Sequence, residues 1–226
     1  DFSAFDGAIL MTNTISDPDV KESIISRVKD SGIPAAVFDD SDCRDFYNIC
    51  INNSSPMEDV VRHVIQEHGA TVLNFISGTL ANPEALTRYN AFRKVMDENR
   101  LRIDPRRIYY GTFRQQDGKA AIEEFALSGM KLPDAFICAN DAMALTAVSA
   151  LEKLGYRVPN DVIVTGFDCT YNARNFTPSL TTVKRPLTMA GKTACATLAE
   201  IFSGGNPEKI ITLDAHAVFA ESCGCK

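Results

Sequence analysis

The sequence has no run of basic residues and no helix-turn-helix pattern, and its formal net charge is −6 over 226 residues. Nucleic-acid binding usually leaves a basic patch, so this chain is not expected to touch DNA by itself. No apolar run approaches the ~20 residues of a membrane span, so no membrane role is expected. No G-x-G-x-x-G or G-x-x-x-x-G-K-[ST] loop is present to cradle a phosphate, and no G-x-S-x-G elbow presents a serine. Histidine is scarce, with three in the chain. A hydrolase needs a nucleophile–base pair or a metal cluster, and three scattered histidines argue against one. The chain is therefore expected to be no enzyme and to carry no cofactor.

No metal is expected either. His63 and His68 are five residues apart, which fits one helix face less well than three or four, so they read as exposed helix residues. Cys223–Gly224–Cys225 is too tightly spaced for a usual site and shows no second ligand pair. Cysteine itself is not scarce: there are seven, an odd number, several inside apolar runs where a reduced thiol acts as a small hydrophobe. That usage favours a reducing cytoplasm over a disulfide framework.

What remains is an ordinary globular composition, 45% hydrophobic and 23% charged, long enough for one large core or two smaller ones. Short apolar runs alternate with amphipathic stretches. Strands are expected at 7–12, 35–38, 48–51, 71–76, 107–112, 135–138 and 162–166. Helices are expected at 17–30, 57–68, 83–99, 115–128, 142–154 and 186–202. Asp17–Pro18 and Asn82–Pro83–Glu84 each place a capping side chain before a first-turn proline. Such alternation predicts α/β architecture, parallel sheets covered on both faces.

Val162–Ile163–Val164–Thr165–Gly166–Phe167–Asp168 is a buried strand that ends in glycine and then an acid. Ligands in open α/β sheets sit beyond the carboxyl ends of strands, which makes Asp168 a candidate for polar recognition. Thr177–Pro178–Ser179–Leu180–Thr181–Thr182–Val183 follows as a turn-rich, extended segment. With Ala139–Asn140–Asp141–Ala142–Met143–Ala144 and Arg88–Tyr89–Asn90–Ala91–Phe92, these motifs resemble the ligand-binding core of LacI/GalR-type regulators and the related periplasmic sugar-binding proteins. The resemblance covers nearly the whole chain. It implies a two-lobe, periplasmic-binding-protein-like fold with residues 1–78 plus 183–208 in an N-terminal lobe and 82–176 plus 212–226 in a C-terminal lobe. Crossings are expected near 79–81, 177–182 and 209–211. Phe5–Asp6–Gly7–Ala8–Ile9–Leu10 matches the family's third strand, so the N-terminal lobe is expected to be incomplete, without its first two βα units.

By the same resemblance the ligand is bound by Asp168, Arg88, Asn140, Asp39, Phe113, Asp40 and Arg185. Carboxylates and guanidinium groups make charge-assisted hydrogen bonds to hydroxyls, and an aromatic face such as that of Phe113 covers the apolar side of a ring. Ala91 replaces a glycine of the family pattern. Asp40 stands where the family often has arginine, and Arg185 where it often has glutamine, which extends the expected ligands from sugars to amino sugars, sugar acids and nucleosides. Asp141, directly before a helix, reads as an N-cap. The resemblance implies an effector-sensing domain in which a ligand between the lobes shifts their orientation, in a homodimer, with DNA reached only through a domain absent from this chain. Glu221–Ser222–Cys223–Gly224–Cys225 resembles the close of sensors that continue into a signalling domain such as a GGDEF cyclase. The alternative is a periplasmic solute-binding protein of a sugar transporter.

Overall fold

The computed structural model describes residues 2–15, 17–40 and 43–226. Its elements, in chain order, are β1 (Ala8–Leu10), α1 (Pro18–Asp30), β2 (Ala35–Phe38), β3 (Tyr47–Ile51), α2 (Ser54–Gln66), β4 (Leu73–Ser77), α3 (Pro83–Glu98), β5 (Ile108–Tyr110), α4 (Gln115–Leu127), β6 (Ala135–Cys138), α5 (Asp141–Lys153), β7 (Ile163–Thr165), α6 (Tyr171–Asn175), β8 (Thr182–Lys184), α7 (Leu187–Phe202), β9 (Ile210–Leu213) and β10 (His216–Val218). The expected helices and strands are all present, with ends that move by a few residues. The proline-led helix starts are as expected: Asp17 and Asn82 each accept two backbone N–H groups of the first turn.

The chain divides into two units, each discontinuous in sequence. Unit 1 comprises Asp1–Asn52 and Pro186–Asp214, and its sheet runs β1-β2-β3-β9, all parallel. Val28, Ala35, Val37, Cys43 and Phe46 form one buried cluster, Ala36 and Ile49 of the sheet and Ala190 and Ala194 of α7 are buried as well, and α7 packs on β2 and β3. The outer edge of β1 has no strand partner among the described residues, and Phe5, Ile9 and Met11 beside it are exposed.

Unit 2 comprises Asn53–Arg185 and Ala215–Lys226. Its main sheet runs β5-β4-β6-β7, all parallel, and β8 pairs with β10 antiparallel. Phe75, Ile76, Phe136, Ile137 and Val164 are buried from the sheet, and Phe92, Ile122, Met143 and Leu151 cover it from the helices.

The unit boundaries correct those expected from sequence. The first falls at Asn52–Asn53 rather than near 79–81, because β4 pairs with β5 and β6 and α2 packs on α3, β8 and β10 of the same unit. The other two lie after Arg185 and after Asp214, a few residues beyond the expected 177–182 and 209–211, because β8 and β10 pair inside unit 2.

Candidate ligand site

In unit 2 the carboxyl ends of the parallel strands gather charge. Asn82 caps α3 and sets Glu84 in its first turn, with Arg88 four residues on. Arg88 is only 2% exposed, a costly position for a cation unless every face of it is engaged. Its Nε and Nη2 donate to Asn53 Oδ1 at 3.1 and 2.8 Å, and Nη1 donates to the Ala139 carbonyl at 2.8 Å. Glu84 lies 3.6 Å from Nη2. The guanidinium sits 3.8 Å from the centre of the Phe167 ring and 5.6 Å from that of Phe113.

Arg185 joins the cluster from the end of β8. Its Nη2 donates to Glu84 Oε1 at 2.8 Å, and Nη1 lies 3.5 Å from Asp168 Oδ1. Asp168 is half-buried and is held by its own N–H, which donates to the Val183 carbonyl at 3.0 Å. Burial pushes its carboxyl up, while Arg88 and Arg185 oppose that shift. Its backbone has φ 118°, a region that L residues rarely adopt. Phe113 (φ 66°) and Asp39 (φ 48°) share this trait. Strained backbone persists where surrounding structure over-determines it, and it concentrates at ligand clamps.

Phe113 is fixed from two sides. Asn140 Nδ2 donates to its carbonyl at 2.8 Å, and its ring lies over Gly78, where a Cβ would come within 2.6 Å of three ring atoms. Asn140 Oδ1 accepts the Met143 N–H at 2.9 Å, so Asn140, not Asp141, is the N-cap of α5. Asp141 is the first helical residue and is fully buried. Its carboxylate accepts the Thr170 N–H at 2.7 Å and the Thr182 hydroxyl at 2.5 Å, and burial pushes its pKa up to about 6. The reading of Asp141 as a cap fails because the chain enters α5 one residue earlier.

Unit 2 thus brings Arg88, Phe113, Asn140, Asp168 and Arg185 together. Glu84 and Asn53 belong to the same network and were missed in the sequence. Glu84 had a signal, as the acid of a first helical turn, whereas Asn53 follows a strand with no motif around it. Asp39 and Asp40 belong to unit 1, at the carboxyl end of β2. Asp39 Oδ1 accepts the Ile51 N–H at 2.6 Å. Asp40 is buried, lies 2.7 Å from Lys21 Nζ and accepts the Thr12 hydroxyl at 2.5 Å. Burial alone would raise its pKa, but these partners outweigh it and hold the carboxyl below its usual value. A separate concavity of about 270 Å³, lined by Asn74, Arg107, Tyr109, Glu124, Phe125 and Phe136 among others, contains none of the expected site residues.

The expectation for the histidines and the terminal cysteines is corrected. His63, His68, Cys223 and Cys225 come together, with one ligand atom of each within 4.8 Å of the others. His68 lies beyond the last residue of α2, so helical spacing does not govern the pair, and both histidines are half-buried beside Cys223 and Cys225 rather than exposed on a helix.

A parallel sheet with paired charges and an aromatic ring at its carboxyl ends is the arrangement that open α/β ligand-binding domains present. The family described as periplasmic binding protein-like domain matches residues 61–223, and the chain belongs to it, as a LacI/GalR-type ligand-binding domain. The HTH-type transcriptional repressor PurR of Haemophilus influenzae is 38% identical over 139 residues, 62% of this chain and 41% of that protein. PurR of Histophilus somni is 31% identical over 191 residues, 84% of this chain and 57% of that protein. The chain thus spans about half the length of these relatives. Among solved structures, a transcriptional regulator CelR–cellobiose complex has a TM-score of 0.84 at 24% identity, covering 96% of this chain and 65% of that one. The transcription regulator CcpA of Lactococcus lactis has a TM-score of 0.83 at 22% identity, covering 97% and 78%.

Proposed function

We propose that this chain is the effector-sensing part of a cytoplasmic, homodimeric LacI/GalR-like transcriptional regulator that reaches DNA through a domain outside this sequence. Its ligand is a small polyhydroxylated molecule, a sugar or sugar derivative or a nucleoside. The observation that carries this reading is the Glu84–Arg185–Asp168 chain, joined through Glu84 to Arg88 near the ring of Phe113, where a half-buried acid on strained backbone meets a cation. Charged donors and acceptors of this kind recognise hydroxyl groups, and the ring covers an apolar face. The relatives named as transcriptional repressors and the regulator solved with cellobiose support the same class. Arg88 supports the site by neutralising it, with its hydrogen bonds directed to Asn53 and Ala139. A signalling output such as a GGDEF domain in place of DNA binding remains the second form of the proposal, on the resemblance of residues 221–225.

The test is a thermal-shift screen of the intact protein against sugars, sugar acids, amino sugars and nucleosides, since a ligand specific for the native state raises the melting temperature with concentration. A saturable shift from one of these classes is expected. Asp168→Asn, which tolerates positive φ, is expected to weaken binding roughly tenfold through a lost charged hydrogen bond. Saturable binding with the same affinity in Asp168→Asn and in Arg185→Gln would overturn the site, and the absence of any shift would overturn the ligand class.

A further inference from the structure

The cluster formed by His63, His68, Cys223 and Cys225 lies apart from the residues of the ligand site and takes no part in that network. His63 is in the last turn of α2. Gly69 (φ 67°) follows His68, and the Ala70 N–H reaches back to the Val64 carbonyl at 3.3 Å, a helix stop that turns His68 back toward His63. The two cysteines come from the opposite end of unit 2's sequence. After β10 the chain makes a single turn over Glu221–Cys223, and Gly224 (φ 94°) reverses it so that the Cys225 N–H donates to the Ala220 carbonyl at 3.2 Å. The His63 ring is fixed by stacking on Phe219, with centroids 3.8 Å apart and planes at 16°.

Four of the six separations between the ligand atoms are close to those a metal would impose, and all six are within 4.8 Å. His63 Nε2 lies 3.1 Å from His68 Nε2, 3.7 Å from Cys223 Sγ and 3.3 Å from Cys225 Sγ, and Cys225 Sγ lies 3.8 Å from His68 Nε2. A tetrahedral ion about 2.3 Å from sulfur and about 2.0 Å from nitrogen separates its ligand atoms by about 3.3–3.8 Å. Two thiolates and two imidazoles in that arrangement select zinc over hard cations such as magnesium or calcium.

We propose that His63, His68, Cys223 and Cys225 form a closed, structural Cys2His2 zinc site that clasps the C-terminal turn onto the end of α2. With four protein ligands the site has no open position and serves folding rather than turnover. Both thiols lose their protons to solvent as zinc binds, and no oxidant or reductant is needed.

The test uses the intact protein, purified under reductant and equilibrated with zinc, with bound metal counted by elemental analysis and cobalt substitution followed by absorption. One zinc per chain is expected, as are tetrahedral cobalt bands with thiolate-to-cobalt charge transfer. Cys195→Ser, at an exposed thiol outside the cluster, is expected to keep both. Cys225→Ser and His68→Ala, at half-buried positions that leave the buried Cys223 intact, are each expected to weaken metal binding by more than about tenfold, with circular dichroism confirming the fold. Chelation is expected to lower the melting temperature of wild type and to lower that of Cys225→Ser by less. Metal-free protein with both thiols titrating as free, a Cys223–Cys225 disulfide under reductant, or zinc retained at full affinity in both variants would each overturn the site.

Discussion

Asp141 shows how one buried carboxylate sets a pH dependence. Its folded pKa of about 6 lies above the ordinary value of 3.8, because burial outweighs the hydrogen bonds from Thr182 and Thr170. The ionised form therefore costs stability, by at most about 3 kcal/mol. That cost is full above pH ~6 and is relieved as pH falls toward ~4, the direction for a group whose pKa rises on folding. Denaturant titrations of wild type and Asp141→Asn across this window are expected to show wild type gaining relative to the variant as pH falls. A constant difference would mean that Asp141 is not shifted. The sequence placed an acid here but misjudged its work, because whether an Asn-Asp pair caps with its first or second residue depends on where the chain turns. Arg88 was legible as a residue at the sheet's carboxyl end. Its burial between Phe113 and Phe167 was not, since those rings come from elements far apart in the chain.

At the scale of elements, helix starts were the most legible feature, because Asp17–Pro18 and Asn82–Pro83 combine a capping oxygen with a residue that needs no hydrogen-bond partner. The junction between β3 and α2 was the least legible. Asn52–Asn53–Ser54–Ser55–Pro56 is a turn-rich run, but it reads as an ordinary strand-to-helix loop, and nothing in it marks that the chain changes unit there. Packing between helices was equally hidden. A Cβ at Gly118 of α4 would collide with the Met143 carbonyl and the Thr146 hydroxyl of α5, so the missing side chain sets how closely these helices approach. Gly118→Ala is expected to destabilise the protein by about 1–3 kcal/mol. Gly191→Ala in α7, where nothing lies within 4 Å, is expected to be neutral or slightly stabilising. Thermal melts of the two variants compare a steric cost with a propensity gain, and equal melts would show that α4 and α5 adjust freely.

Across the whole molecule, the two units differ in how much they bury. The core of unit 2 draws on all four strands of its main sheet and the helices around it, whereas in unit 1 the described buried apolar residues lie mostly on β2, β3 and α7, with β1 contributing none and α1 only Val28. Local stability follows buried apolar contact, so amide exchange is expected to be slowest in β4, β6 and α5 and markedly faster in β1 and α1. Exchange mass spectrometry at peptide resolution checks this, and equal protection in both units would contradict it. The α/β class was legible from alternation alone. The allocation of β4 was not, because an apolar strand carries no mark of the sheet it will join.

Unit 1 is also split in time. β3 pairs with β9, and Lys209 Nζ donates to the Asp45 carbonyl across 164 residues of chain. On a translating ribosome β1, β2 and β3 emerge first and wait for a neighbour that is made only after the whole of β4 to β7. The main sheet of unit 2 is complete in sequence well before that. Synthesis therefore favours unit 2 as the first part to fold, and the edge of β3 stays open until the last strand of its sheet arrives.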